Sequence, residues 1–167
     1  MPNWVTNKVV IIGKAERITE IVALLKGEND SNFDFTKILP MPAELEGTRS
    51  PSEKPNPFLI AKYGHDNWYE WSWANWGTKW NASAEAEPHL NTKGTRLTYF
   101  FATAGSTPAP VLEKLAEKFP DVQIKVWYAD EDRGQNVGWY TFKNGVLDAE
   151  AELSGLPSGR RLAQRLG

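Results

Sequence analysis

The sequence predicts an α+β domain, an antiparallel sheet with helices on one face. Three observations carry this. Runs of β-branched and aromatic residues, which read as strands, alternate with stretches whose apolar residues fall at helical spacing. Their order is β–α–β, then a long insertion, then β–α–β–β. The 167 residues, 41% hydrophobic and 24% charged, suffice for one domain with its own core.

Val9, Val10, Ile11 and Ile12 are an unbroken β-branched run, as a buried strand requires, and Gly13 ends it. Residues 15–26 place Ile18, Ile21, Val22 and Leu25 at helical spacing, with Gly27 as the stop. Phe33-Asp34-Phe35 and Ile38-Leu39, closed by Pro40 and Pro42, read as a short strand or extended segment. Residues 48–57 hold three prolines and two serines, the composition of an exposed loop. Residues 96–103 form a strand. Residues 108–119 form a helix, with Pro108 and Pro110 at its entry and Val111, Leu112, Leu115 and Phe119 on one face. Residues 122–128 alternate apolar and polar, and 137–142 make the next strand. Asn144-Gly145 is a hairpin signal into Val146 and Leu147. Residues 156–167, with Leu162 and Leu166 four apart beside Arg160, Arg161 and Arg165, suit a short final helix. Two split βαβ units in one short chain predict a ferredoxin-like sandwich over residues 1–150, with a Trp-rich insertion at about 43–95 and a tail or short helix at 151–167. No internal sequence repeat supports a pseudo-symmetry.

Nineteen basic and 21 acidic side chains give a formal net charge of −2, which disfavours a protein that coats duplex DNA. The absence of cysteine excludes disulfides, Cys-ligated zinc, iron–sulfur clusters and thiol catalysis. No apolar run approaches the ~20 residues of a membrane span. The N-terminal residues lack the pattern of a signal peptide. No phosphate-loop, dinucleotide-binding, zinc-protease or nucleophile-elbow motif occurs, so no catalytic residue is assigned and no cofactor is expected.

Tryptophan is the abnormal feature: eight residues, five of them between positions 68 and 80. Tyr69, Trp71 and Trp73 alternate as on a strand, but Asp66 or Asn67 is a good helix N-cap and Gly77 a good C-terminal stop, which favours a helix. On a helix, Trp68, Tyr69, Trp71, Trp73 and Trp76 cover an arc of about 200°, wider than the ~100° one packing face needs. The rings therefore pack from two directions, or one flank binds something. As core they cover the sheet. As a site, Trp71, Trp73, Asn75, Trp76, Thr78 and Trp80 offer a stacking surface with Lys79 for a phosphate.

Other constellations are weaker. Glu85, Glu87 and His89 at i, i+2, i+4 share one face of a strand and suit a divalent ion, although Pro88 disfavours a regular strand there. His65-Asp66 is a His–Asp pair without a defined nucleophile. Asp130-Glu131-Asp132 reads as a solvated turn between strands, and the tail arginines as a solvated helix face.

Several stretches together resemble a family: Met1-Pro2-Asn3-Trp4 with Asn7; Phe33-Asp34-Phe35 leading to Ile38-Leu39-Pro40-Met41-Pro42; and Asn75-Trp76-Gly77-Thr78-Lys79-Trp80-Asn81-Ala82. Phe101-Ala102-Thr103-Ala104, the helix at 108–119 and residues 128–138 add to it. They are similar to the small phage- and plasmid-borne proteins typified by YubB, over roughly residues 1–147. The resemblance implies a ferredoxin-like domain, a mobile-element context and a cytoplasmic location in a bacterial host. It transfers no catalytic residue. The family commonly carries a tryptophan after the Thr-Ala of the strand–helix junction, where this chain has Gly105.

The expected function is that of a non-enzymatic phage or mobile-element accessory protein that binds a host protein or a small nucleotide-like ligand, with counter-defence as a role. One alternative is a single-stranded nucleic-acid-binding module using the strand aromatics Tyr99, Phe101, Trp127 and Trp139, against which the acidic balance counts. Another is a metal-dependent hydrolase or nuclease using Glu85, Glu87 and His89.

Overall fold

The computed structural model describes every residue except Met1, Asn29, Ala84 and Glu85. Its elements are β1 (Trp4–Ile12), α1 (Ala15–Leu25), α2 (Pro57–Tyr63), α3 (Trp68–Asn75), β2 (His89–Leu90), β3 (Arg96–Ala104), α4 (Ala109–Lys118), β4 (Gln123–Asp130), β5 (Val137–Lys143), β6 (Val146–Glu152) and α5 (Pro157–Leu166). The six strands form one sheet in the order β2-β3-β1-β4-β5-β6, and every neighbouring pair is antiparallel.

The α+β architecture follows the expectation, with differences of detail. Phe33 to Leu39 is not a strand. The Asp34 side chain accepts from the Thr36 N–H and closes a single 3-10 turn at Phe35–Lys37, so both phenylalanines drop into the core from a turn. The first βαβ unit therefore closes on β2 instead: β1 and β2 both pair antiparallel with β3 and so run parallel to each other, with α1 and the insertion between them. The second is β3–α4–β4: both strands pair antiparallel with β1 and so run parallel to each other, with α4 as the crossover. The expected loop at 48–57 ends in α2, because Asn56 caps the Phe58 and Leu59 N–H groups and Pro57 sits where its missing donor costs nothing. Asn144 and Gly145 both take positive φ, the turn that joins β5 to β6.

The main core lies on one face of the sheet. Val9, Ile11, Leu97, Tyr99, Phe101, Ile124, Val126, Tyr140 and Phe142 meet Ile18, Ile21 and Leu25 of α1, Leu112 and Leu115 of α4, and Trp71 and Trp76 of the insertion. Burying each such side chain contributes roughly 1.5–3 kcal/mol. Helices are not confined to that face. α5 lies on the other, where Leu162 and Ala163 pack on Ala129 and Val137. Its two apolar faces of the pleat explain why β1 and β4 contain buried residues on both sides.

Candidate functional site

The dense aromatic segment is a helix followed by a strap. The Asn67 side chain accepts from the Glu70 N–H at 2.9 Å and starts α3, as its position predicts. Asp66 does not face its neighbour His65. Its carboxylate accepts from Ser52 Oγ at 2.6 Å and from the Asn56 N–H at 2.9 Å, contacts that hold it below its ordinary pKa. His65 Nδ1 instead lies 3.9 Å from Glu70, so the sequence-adjacent pair forms no dyad. Gly77 has φ +73 just beyond α3, and a Cβ there would lie 2.7 Å from Cδ of Pro110. The chain then follows the free edge of β3: Thr78 Oγ1 donates to the Ala104 carbonyl at 2.6 Å, and the Ser83 N–H to the Ala102 carbonyl at 3.1 Å.

This path separates the seven predicted site residues. Trp71 and Trp76 are core, edge to face at 5.4 Å, and the Trp76 indole N–H donates to the Leu39 carbonyl at 2.8 Å. Asn75 Nδ2 donates to the Trp71 carbonyl, and Thr78 is fully buried. Both make contacts within the frame: Thr78 Oγ1 to the Ala104 carbonyl and Asn75 Nδ2 to its own helix. Trp73 is half-buried over Gly105; its indole nitrogen is buried with no partner among the described residues. It lines a shallow hollow with His65, Tyr69 and Glu70, apart from the others. Lys79 and Trp80 remain accessible. The Trp80 ring is 40% exposed, backed by Trp4 at 5.9 Å, and the Lys79 ammonium stands 4.5 Å from its centroid.

A groove of about 320 Å³ opens beside them, lined by Met41, Glu46, Trp68, Trp76, Lys79 and Trp80. Three of the predicted residues (Trp76, Lys79 and Trp80) therefore meet at one place. Met41 and Glu46 come from the segment before α2, and no spacing in the sequence signals their approach. Trp68 was legible as part of the aromatic arc. Below the groove, Asn81 ties the strap to the core edge, donating to Asp34 and accepting from the Phe35 N–H. Burial would raise the Asp34 carboxyl, but the hydrogen bonds from Asn81 and Thr36 outweigh it and hold the group low.

The remaining predictions fall elsewhere. Glu85 lies outside the described residues; Glu87 and His89 are both exposed, and no cluster of three ligating side chains occurs among the described residues. Of the four strand aromatics, Tyr99 and Phe101 point into the core, because they share the register face of Val9 and Val126. Trp127 and Trp139 point to the opposite face and pair with each other across β4 and β5. Phe100, not Tyr99 or Phe101, joins them there and is 44% exposed. Within the Asp130-Glu131-Asp132 turn, Asp130 Oδ1 accepts from the Asp132 N–H and Glu131 from the Trp4 N–H, so this charge run is fastened to the sheet end.

Residues 75–155 match the family model of a ferredoxin-like domain in Api92-like protein. The match begins at Asn75, the first residue of the block on which the resemblance rests, and ends beyond β6, so it takes in the strap and β2 to β6. The crystal structure of a protein api92 from Yersinia pseudotuberculosis shares the fold, with a TM-score of 0.54 and 11% identity over 94% of this chain and 100% of that one. At that identity the likeness speaks for the fold alone. No curated protein matches. The expected ferredoxin-like domain is thus present. Among the described residues no helix is long and apolar enough to cross a membrane.

Proposed function

We propose that this chain is a non-enzymatic accessory protein of a phage or mobile element, acting in the bacterial cytoplasm, and that its groove beside Trp80 binds a nucleotide-like small molecule. The observation that supports it is the pairing of Lys79 with Trp80: a cation held 4.5 Å over an indole that is 40% exposed, at the mouth of an apolar groove. A planar base stacks on indole for about 1–3 kcal/mol. The same lysine, released from the ring, supplies a phosphate contact. The groove's volume is at the lower end of small-ligand sites, which suits a mononucleotide. The mobile-element setting rests on the resemblance of residues 75–82, and a counter-defence role follows from sequestering a nucleotide signal in an infected cell.

The test is titration of intrinsic tryptophan fluorescence with purine and pyrimidine mononucleotides and dinucleotides. Saturable quenching that Trp80→Ala abolishes and Lys79→Ala weakens for phosphorylated ligands only is the expected result. Equal quenching of the wild-type chain and of Trp80→Ala would refute it.

A further inference from the structure

We infer that the sheet face opposite the main core is a binding surface for single-stranded nucleic acid. The registers place Phe100, Lys8, Trp127 and Trp139 in one row across β3, β1, β4 and β5. At about 4.8 Å between strands the row spans roughly 15 Å. The Lys8 ammonium stands between the first two rings, 5.7 Å from the Phe100 centroid and 5.4 Å from that of Trp127. The neighbouring row brings Lys125, opposite Val10, and Arg96 and Lys143 close the far end of the same face.

Charge is what distinguishes this surface. β1, β3, β4 and β5 place Lys8, Arg96, Lys125 and Lys143 on it and no carboxylate; the one acid of these strands, Asp130, has the opposite register. α5 lies beside the aromatic row and carries Arg160, Arg161 and Arg165 without an acid. A cleft of about 230 Å³ forms where they meet, between Lys8, Phe100, Trp127, Leu162, Arg165 and Leu166. Asp130 and Glu131 line a separate hollow at the end of the sheet, with Thr6, Ala129, Arg133, Ala163 and Gly167. An exposed Phe100 and the half-buried rings of Trp127 and Trp139, set about Lys8 with no carboxylate from β1, β3, β4 or β5 on their face, match a strand of unpaired bases, which offers π-faces and phosphates in alternation. A duplex hides its base faces and cannot use the row.

The experiment is anisotropy of labelled oligothymidylate and oligouridylate against a duplex of equal length, over a range of salt. Single strands should bind and the duplex should not compete. Phe100→Ala, at an exposed position, should weaken binding roughly 5- to 150-fold, the loss of one stacked base. Trp127→Phe should retain it. Lys8→Ala with Lys125→Ala should flatten the slope of log K against log salt by about 1.4. Far-UV circular dichroism checks the fold of each variant. No binding at low salt, equal binding of the duplex, or an unchanged affinity in Phe100→Ala overturns the inference. So does binding that survives these changes but is lost in Trp80→Ala, which would assign the strand to the groove.

Discussion

Gly105 gives the sharpest test of how the aromatic segment is packed. It follows β3 with φ +87, and its N–H donates to the Asn3 carbonyl at 2.8 Å. A Cβ there would lie 2.7 Å from Cη2 of Trp73 and 3.2 Å from Cζ2. Gly105→Ala therefore meets two penalties. The left-handed backbone costs a residue with a Cβ about 1–2 kcal/mol. Overlap with the indole adds about 1–3 kcal/mol, nearer the lower end because the contact is with the ring's tip, which is able to swing. The expected loss is about 2–4 kcal/mol. Gly155 separates the two penalties: its φ is +77 and nothing lies within 4 Å of its Cβ position, so Gly155→Ala should cost the backbone part alone. Urea unfolding followed by far-UV circular dichroism measures all of these without depending on the tryptophan signal. In a double-mutant cycle, Trp73→Ala should relieve the steric part, leaving the double variant about 1–3 kcal/mol more stable than the sum of the singles predicts. Additivity within about 0.5 kcal/mol, or equal costs at Gly105 and Gly155, would show that Trp73 does not rest on Gly105.

Two further outcomes follow from the site's frame. Asn67→Ala removes the side-chain acceptor that starts α3 and should cost about 1 kcal/mol, read as a lowered urea midpoint with an unchanged slope. The Asp34 carboxyl is held low by Asn81 and Thr36 against the opposing effect of burial, so its folded pKa lies below the unfolded one. Its contribution to stability is complete above the ordinary carboxylate range and is lost as pH falls through the folded value. Stability should consequently fall more steeply below about pH 4 in the wild type than in Asp34→Asn, where the same oxygen accepts without titrating; parallel acid unfolding curves would count against this.

Local signals were legible where one residue sets the conformation. Asn67 and Gly77 bound α3 on both sides, the Asn144-Gly145 pair makes the β5–β6 turn, and Pro110 lies in the first turn of α4. They failed where a side chain recruits its own backbone. Phe33, Phe35, Ile38 and Leu39 look like an extended apolar run, and only the Asp34 carboxylate accepting from the Thr36 N–H makes the segment a turn. They failed again where the sequence lacks a period. Tyr99, Phe100 and Phe101 are three consecutive aromatics, so nothing local says which points outward; the pairing of Lys8 with Phe100 and Val9 with Tyr99 decides it. The groove had the same fate. Its Trp80 and Lys79 belong to a recognisable block, while Met41 and Glu46 arrive through the tertiary path of the segment before α2.

Whole-chain charge describes no single surface of this chain, and the sheet shows why. A net charge of −2 averages over surfaces that a ligand never meets together. β1, β3 and β5 contain no acid at all. β6 at the edge carries Glu150 and Glu152 in register with Tyr140 and Gly138, on the core side of the sheet. The Tyr128 hydroxyl, raised first by burial and then by Glu152 and Glu150, records their field on that side. Acids at an edge strand discourage pairing with another sheet, so their placement has a structural cause of its own. At physiological ionic strength solvent-exposed charges are screened over about 8 Å, which shortens the reach of these acids around the edge of the sheet. The basic, ring-bearing face and the acidic edge strand are thus distinct surfaces. A mild excess of acid over the whole chain argues against wrapping a duplex, which engages many phosphates around a large surface; it says little about a short single strand lying across one row of four side chains.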